Sequence, residues 1–271
     1  MTKQIDVTTT DGDADRIRGD HRPDPWARVR DLTPARIGLS RHGAAQPTSS
    51  KLSFAAAHAA ARDAVHSGDA GGPAASGTPG GRCVRSAAPL VRSRAGDRSE
   101  YLRRPDLGRL PNDADLKELP IREDGWDVGI VMADGLSPDA LFYHGNATEE
   151  ALRDALHRIG PELSIAPTVK ADQARVALGD HIAHAMSMRV VVVVIGERPG
   201  LSVPYSLGMY ITYNASPGTT DERRNCISNI HPPDGLGYEH AAFTASNLIS
   251  KMMKLGKSGA TLKATRHAIS S

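Results

Sequence analysis

The sequence predicts an α/β protein in which a small helical N-terminal domain precedes a parallel-sheet domain. Three observations predict it. Val190–Ile195 is an unbroken run of valines and one isoleucine, apolar on both faces as a central parallel strand must be. From Leu90 onward, strand-like runs alternate with helical stretches, the pattern of a parallel sheet with helices on both faces. Before them, Ser49–His66 is Ala-rich and places Leu52, Phe54, Ala55, Ala59, Arg62 and Val65 at helical spacing.

Taken in order, residues 1–24 mix Asp, Thr and Arg without apolar periodicity and read as a flexible N-terminal arm. Asp31-Leu32-Thr33-Pro34 reads as a helix start, with Thr33 as N-cap and Pro34 in the first helical position. Residues 25–82 form the helical domain together with a low-complexity linker, and residues 83–271 form the sheet domain. Of the 23 residues in Ser67–Pro89, 17 are Gly, Ala, Ser or Pro, a composition that suits neither helix nor strand and predicts a mobile, protease-sensitive segment. Leu90–Ser93 is a short strand, and Trp126–Asp134 a buried one that ends in the loop Gly135–Pro138. A helix follows from Thr148, its N-cap, to Ile159. Val169–Ala177 contains an extended or loop piece, Gly179–Met188 is helical, Gly208–Tyr213 is a strand, and Tyr238–Leu255 is the closing helix.

Composition narrows the function classes. Lys+Arg number 33 and Asp+Glu 31, a net charge of +2, so bulk charge supplies neither a nucleic-acid stripe nor an acidic tail. A chain of 271 residues buries a core without staples, and two cysteines, Cys83 and Cys226, exclude a disulfide scaffold and a Cys-rich zinc site. No apolar run approaches a membrane span, and the polar first twenty residues lack the apolar region of a secretory signal. These features describe a soluble protein of a reducing compartment.

In open parallel sheets, ligands bind beyond the carboxyl ends of the strands. Three loop or strand-end segments qualify: Asp134–Pro138, Gly196-Glu197-Arg198-Pro199-Gly200 after the valine run, and Arg224–Ile230, rich in small hydrogen-bonding groups. Glu197 between glycines suits close approach of a ligand, although a plain turn with a solvated Glu-Arg pair has the same sequence. Familiar signatures are missing. Gly235-Leu236-Gly237 lacks the third glycine of a dinucleotide fingerprint, and Gly256-Lys257-Ser258 lacks the first glycine of a phosphate loop. His181 and His184 read as solvated helix residues, and Cys226 without an assigned base reads as a packed small residue. The residues therefore describe a Rossmann-like binding domain with no self-contained catalytic set. A nucleotide- or flavin-binding domain and a docking adaptor remain the alternatives.

At these same segments the chain resembles the small (light) subunit of ethanolamine ammonia-lyase. The likeness is carried by DLTPARIG (Asp31–Gly38), ARDAVH ending at His66, YLRRPDLGR (Tyr101–Arg109), Val131–Ser137, DQARVALGD (Asp172–Asp180), VVIGERPGL (Val193–Leu201) and NCISNI (Asn225–Ile230), in the same order. The resemblance implies a helical N-terminal piece, a Rossmann-like domain, and a carbon–nitrogen lyase that turns ethanolamine into acetaldehyde and ammonia by radical chemistry with adenosylcobalamin. It further implies a partner, the large barrel subunit that holds the substrate and most catalytic groups, and a hetero-oligomer in the cytoplasm or inside a bacterial microcompartment. Cofactor contacts carried over residue by residue fall on Val176, Glu197 and Cys226. The chain departs from the family over Ser67–Pro89, where the family resembles a regular helix leading into a strand. That composition matches GC-rich coding sequence read out of frame, and a linker reading stands beside it.

Overall fold

Apolar periodicity becomes structure most directly in the second half of the chain. The computed structural model describes residues 26–33, 35–39, 41, 43–67 and 88–263. These separate into two compact units, the first ending at Phe54 and the second beginning at Ala55. The expected arm (1–24), the expected boundary at 82/83 and nearly all of the Gly/Ala-rich segment lie outside the described residues.

In the first unit, α1 is a single turn, Ala27–Arg30. The helix start expected at Thr33 does not form: residues 35–39 are not helical, and Thr33 Oγ1 instead accepts from the Ala35 N–H at 3.1 Å. A threonine hydroxyl satisfies a local turn as readily as a helix N-terminus. Pro34 itself lies outside the described residues. α2 spans Thr48–His66, so that its residues from Ala55 on belong to the second unit; it is one residue longer than its periodicity predicts, and Ala64 is its only buried residue.

The second unit holds a six-stranded sheet in the order β1-β3-β2-β4-β5-β6. The strands are β1 (Leu90–Arg92), β2 (Trp126–Ala133), β3 (Val169–Asp172), β4 (Met188–Gly196), β5 (Leu207–Tyr213) and β6 (Arg224–Ile230). β1, β3, β2 and β4 pair in parallel; β5 is antiparallel to β4, and β6 antiparallel to β5. The sheet is thus mostly parallel, which corrects the expectation of a purely parallel one. Pro199, Gly200 and Pro204 fill the β4–β5 connection and exclude a crossover helix, so the chain returns as a hairpin. Arg224–Ile230 is a strand rather than a strand-end loop.

Short helices α3 (Arg98–Arg103) and α4 (Asp113–Lys117) lie between β1 and β2. α5 is Pro138–Ile159, α6 Leu178–Ala185 and α7 Tyr238–Leu255. Val190, Val192 and Val194 join the core shared with α5 and α7, while Val191, Val193 and Ile195 join the core beneath α6. Burial on both faces accounts for the continuous apolar run. α5 begins ten residues before the predicted start: Ser137 Oγ accepts from the Ala140 N–H at 3.3 Å, and Pro138 occupies the first turn. Thr148 is therefore a buried mid-helix residue, not a cap. Gly145 is a close-packing position, since a Cβ there would stand 3.3 Å from Met132 Cε.

Candidate functional site

The carboxyl ends of β2, β3 and β4 meet at a cleft of about 420 Å³. Its walls are Gly135 and Leu136 after β2, Arg175 and Val176 after β3, and Gly196, Glu197 and Arg198 after β4. Its floor is the α6-side face of the β5–β6 hairpin, through Tyr210 and Ser228. α7 covers the opposite face of that hairpin, whereas α6 packs on β4 and leaves Cys226 and Ser228 exposed. The cleft is therefore a one-sided shelf. Two larger hollows, of about 540 and 600 Å³, contain none of the sequence-predicted site residues: one lies beyond β1 and β3, the other beside Trp126 and Arg153.

Backbone approach fixes the shelf. Gly135 has φ +57°, and a Cβ there would stand 2.2 Å from the Gly196 carbonyl; a Cβ on Gly196 would meet Ser137 O at 2.2 Å. Only glycines permit the β2 and β4 loops to touch, and the Leu136 N–H donates to Gly196 O at 3.0 Å. Glu197 follows at once. Its carboxylate accepts from Ser206 Oγ at 2.8 Å, from the Asn229 N–H at 3.2 Å and from Ser228 Oγ. The GERPG and CISNI segments thus form one hydrogen-bonded corner.

YLRRPDLGR forms the neighbouring wall. Tyr101 is fully buried, donates to Ala174 O at 3.0 Å, and packs so close to Gly108 that a Cβ there would stand 2.7 Å from its ring. Arg98 and Arg175 both place their guanidinium carbons over the Tyr101 ring, at 4.9 and 4.5 Å. Burial raises the Tyr101 phenol, which stays protonated. Asp134 accepts from the backbone N–H groups of Gly135, Gln173 and Ala174. α6 is tied to β6 by a bidentate pair, Arg224 to Asp180 at 2.6 and 2.7 Å, with both side chains buried.

Of the three sequence-predicted residues, Val176 and Glu197 line the cleft. Cys226 lies beside it on β6, opposite Tyr210 on β5. Burial pushes the Cys226 thiol up and Tyr210 to about 12, so neither supplies an anion near neutrality. His181 and His184 lie on α6 away from the lining, and burial lowers His181. The sequence does not single out Tyr101, Arg175 or Ser206 as site-building residues, and it holds Asp134 and Ser228 only as members of candidate segments. YLRRPDLGR and DQARVALGD contain two of them, Tyr101 and Arg175, but nothing along the chain reveals which side chains meet.

The model of the ethanolamine ammonia-lyase light chain matches residues 23–263. The chain belongs to the ethanolamine ammonia-lyase light-chain family. Among relatives named as the small subunit of that enzyme, one from Rhodococcus erythropolis is 51% identical over 248 residues, covering 90% of this chain and 92% of the relative. Another from Rhodopseudomonas palustris is 45% identical over 87% of this chain and 88% of the relative. A third, from Xanthomonas campestris pv. campestris, is 44% identical over 89% and 88%. The light-chain match spans both described units and every cleft residue. No helix among the described residues is long and apolar enough to cross a membrane.

Proposed function

We propose that this chain is the small subunit of an adenosylcobalamin-dependent ethanolamine ammonia-lyase, a carbon–nitrogen lyase active only with its large barrel subunit. In this reading a helical N-terminal domain precedes a Rossmann-like domain. Its carboxyl-end cleft then covers one side of the cofactor at the subunit interface. The observation that carries the proposal is the convergence of Val176 and Glu197 on one open shelf, with Cys226 beside it. A drug-sized ligand fills roughly 300–1,000 Å³, and a corrin is larger than that. A shelf of about 420 Å³ suits one edge of such a ligand and leaves the rest to a second chain.

The donor set fits the group. Val176, Leu136 and Ile195 offer apolar contact to a planar macrocycle, and the Gly135–Gly196 crossing keeps backbone close to its periphery. The Glu197 carboxylate, already holding three donors, keeps lone-pair capacity for an amide N–H of a corrin side chain. Cys226, exposed beside the shelf, stays a neutral thiol that offers contact rather than attack. When bound, the cofactor supplies radical chemistry by homolysis of its cobalt–carbon bond. This chain binds, orients and excludes water.

The test is co-purification with the large barrel subunit, followed by absorbance titration with hydroxocobalamin and an ethanolamine deamination assay with adenosylcobalamin. Uptake and turnover by the complex, with neither by the isolated chain, are expected. Turnover by the isolated chain, or a dinucleotide or flavin retained in its place, would overturn the proposal.

A further inference from the structure

We infer that Asp134 is the positioning residue of the cleft: its carboxylate holds the backbone of Gln173–Val176 in the shape that the bound ligand meets. The inference rests on the cobalamin reading above. Asp134 follows the last residue of β2, its side chain is 16% exposed, and it does not line the cleft. Its Oδ1 accepts from the Gly135 N–H at 2.8 Å and the Ala174 N–H at 3.0 Å. Its Oδ2 accepts from the Gln173 N–H at 2.8 Å and lies 3.4 Å from Arg98 Nη1.

Four donors on two oxygens require the ionised form, because a protonated carboxyl would aim a hydrogen at groups that can only donate. The segment held in this way is not self-supporting. Gln173 has φ 53°, a left-handed conformation that side chains other than glycine resist. From Gln173 the chain passes through Arg175, whose N–H donates to Gly108 O at 2.8 Å, to Val176 on the cleft. The charged and titratable groups facing Asp134 are Arg98 and Tyr101 from α3 and Asp172 from the end of β3, with Arg175 over the Tyr101 ring. Burial pushes the Asp134 carboxyl up to about 6, against the pull of its N–H donors and Arg98.

Two readouts test this, one free of any cofactor. In the full chain, amide hydrogen exchange over Gln173–Val176 is compared with that of the Val190–Ile195 strand, in unaltered protein and Asp134→Asn, at about pH 7.5. In the complex with the large subunit, hydroxocobalamin is titrated at the same pH. Asp134→Asn is expected to speed exchange of the wall roughly tenfold, to leave the β4 strand protected, and to raise half-saturation roughly tenfold.

Unchanged wall exchange in the variant would overturn the inference. So would faster exchange with unchanged half-saturation. If Asp134→Asn does not fold, Asp134→Ser is read by the same criteria. A complex that takes up no hydroxocobalamin overturns the functional reading, and the exchange arm then still decides whether Asp134 holds the wall.

Discussion

The Glu197 carboxylate sits between three donors, two serine hydroxyls and a backbone N–H, one from the β4–β5 connection and two from β6. Glutamine keeps the shape and one acceptor but turns an N–H₂ toward those donors. Hydrogen bonds to a charged group contribute roughly 1.5–3 kcal/mol, so Glu197→Gln is predicted to raise hydroxocobalamin half-saturation of the complex about ten- to a hundredfold. Gel filtration should show the complex still assembled, because a rim residue adds little to the core. Unchanged affinity would remove Glu197 from the site, and lost assembly would make it a subunit contact. At this scale the sequence was partly legible. Glu197 is conspicuous because glycines flank it at the end of the most apolar strand. Ser206, Ser228 and Asp134 are not, because their roles come from partners 9, 31 and about 40 positions away in the chain.

Helix α5 shows what periodicity alone leaves open. Thr148 followed by two glutamates has the composition of a helix start, yet the helix begins at Ser137-Pro138 and runs through Gly145. The deciding term is tertiary: Gly145 lets the helix sit close over Met132, and that burial outweighs the weak helix propensity of glycine. Ser137→Ala removes the cap and the bond its hydroxyl donates to Pro204 O. A loss of about 1 kcal/mol is predicted from the cap alone, read as a lowered denaturation midpoint. Thr148→Val should do the opposite. The Thr148 hydroxyl is buried without a hydrogen-bond partner among the described residues, so an isosteric methyl is predicted to be neutral or stabilising by up to about 1 kcal/mol. Equal losses from both substitutions would return the N-terminal role to Thr148. Strands were more legible than helix ends, since the Val190 run, Trp126–Ala133 and Leu207–Tyr213 carry their burial in their composition.

For the molecule as a whole, buried carboxyls set the pH response. The folded value of Asp134, about 6, lies above its ordinary 3.8, so the native state takes up a proton between those values that the unfolded chain does not. The contribution to stability is therefore full below about pH 4 and is lost as the pH rises through 6, by at most about 3 kcal/mol. Chemical denaturation of unaltered protein should show that slope, and Asp134→Asn should flatten it; an identical slope in both would assign the titration elsewhere. The mostly parallel order was legible from strand–helix alternation, whereas the reversed β5 was not, because a proline-bearing link shows where a helix cannot form without showing which way the chain returns. The segment after α7 has a different consequence. Ser258 bonds to the Tyr213 N–H and the Arg223 carbonyl, Asn225 grips Gly259 and Leu262, and the Leu236 N–H donates to Asn229 O at the other end of β6. An edge strand that would otherwise offer a full row of backbone groups to a neighbouring molecule is thereby clamped at both ends. Loss of the residues beyond Gly256 would take Leu262 from the margin of the core and turn this edge into a template for aggregation.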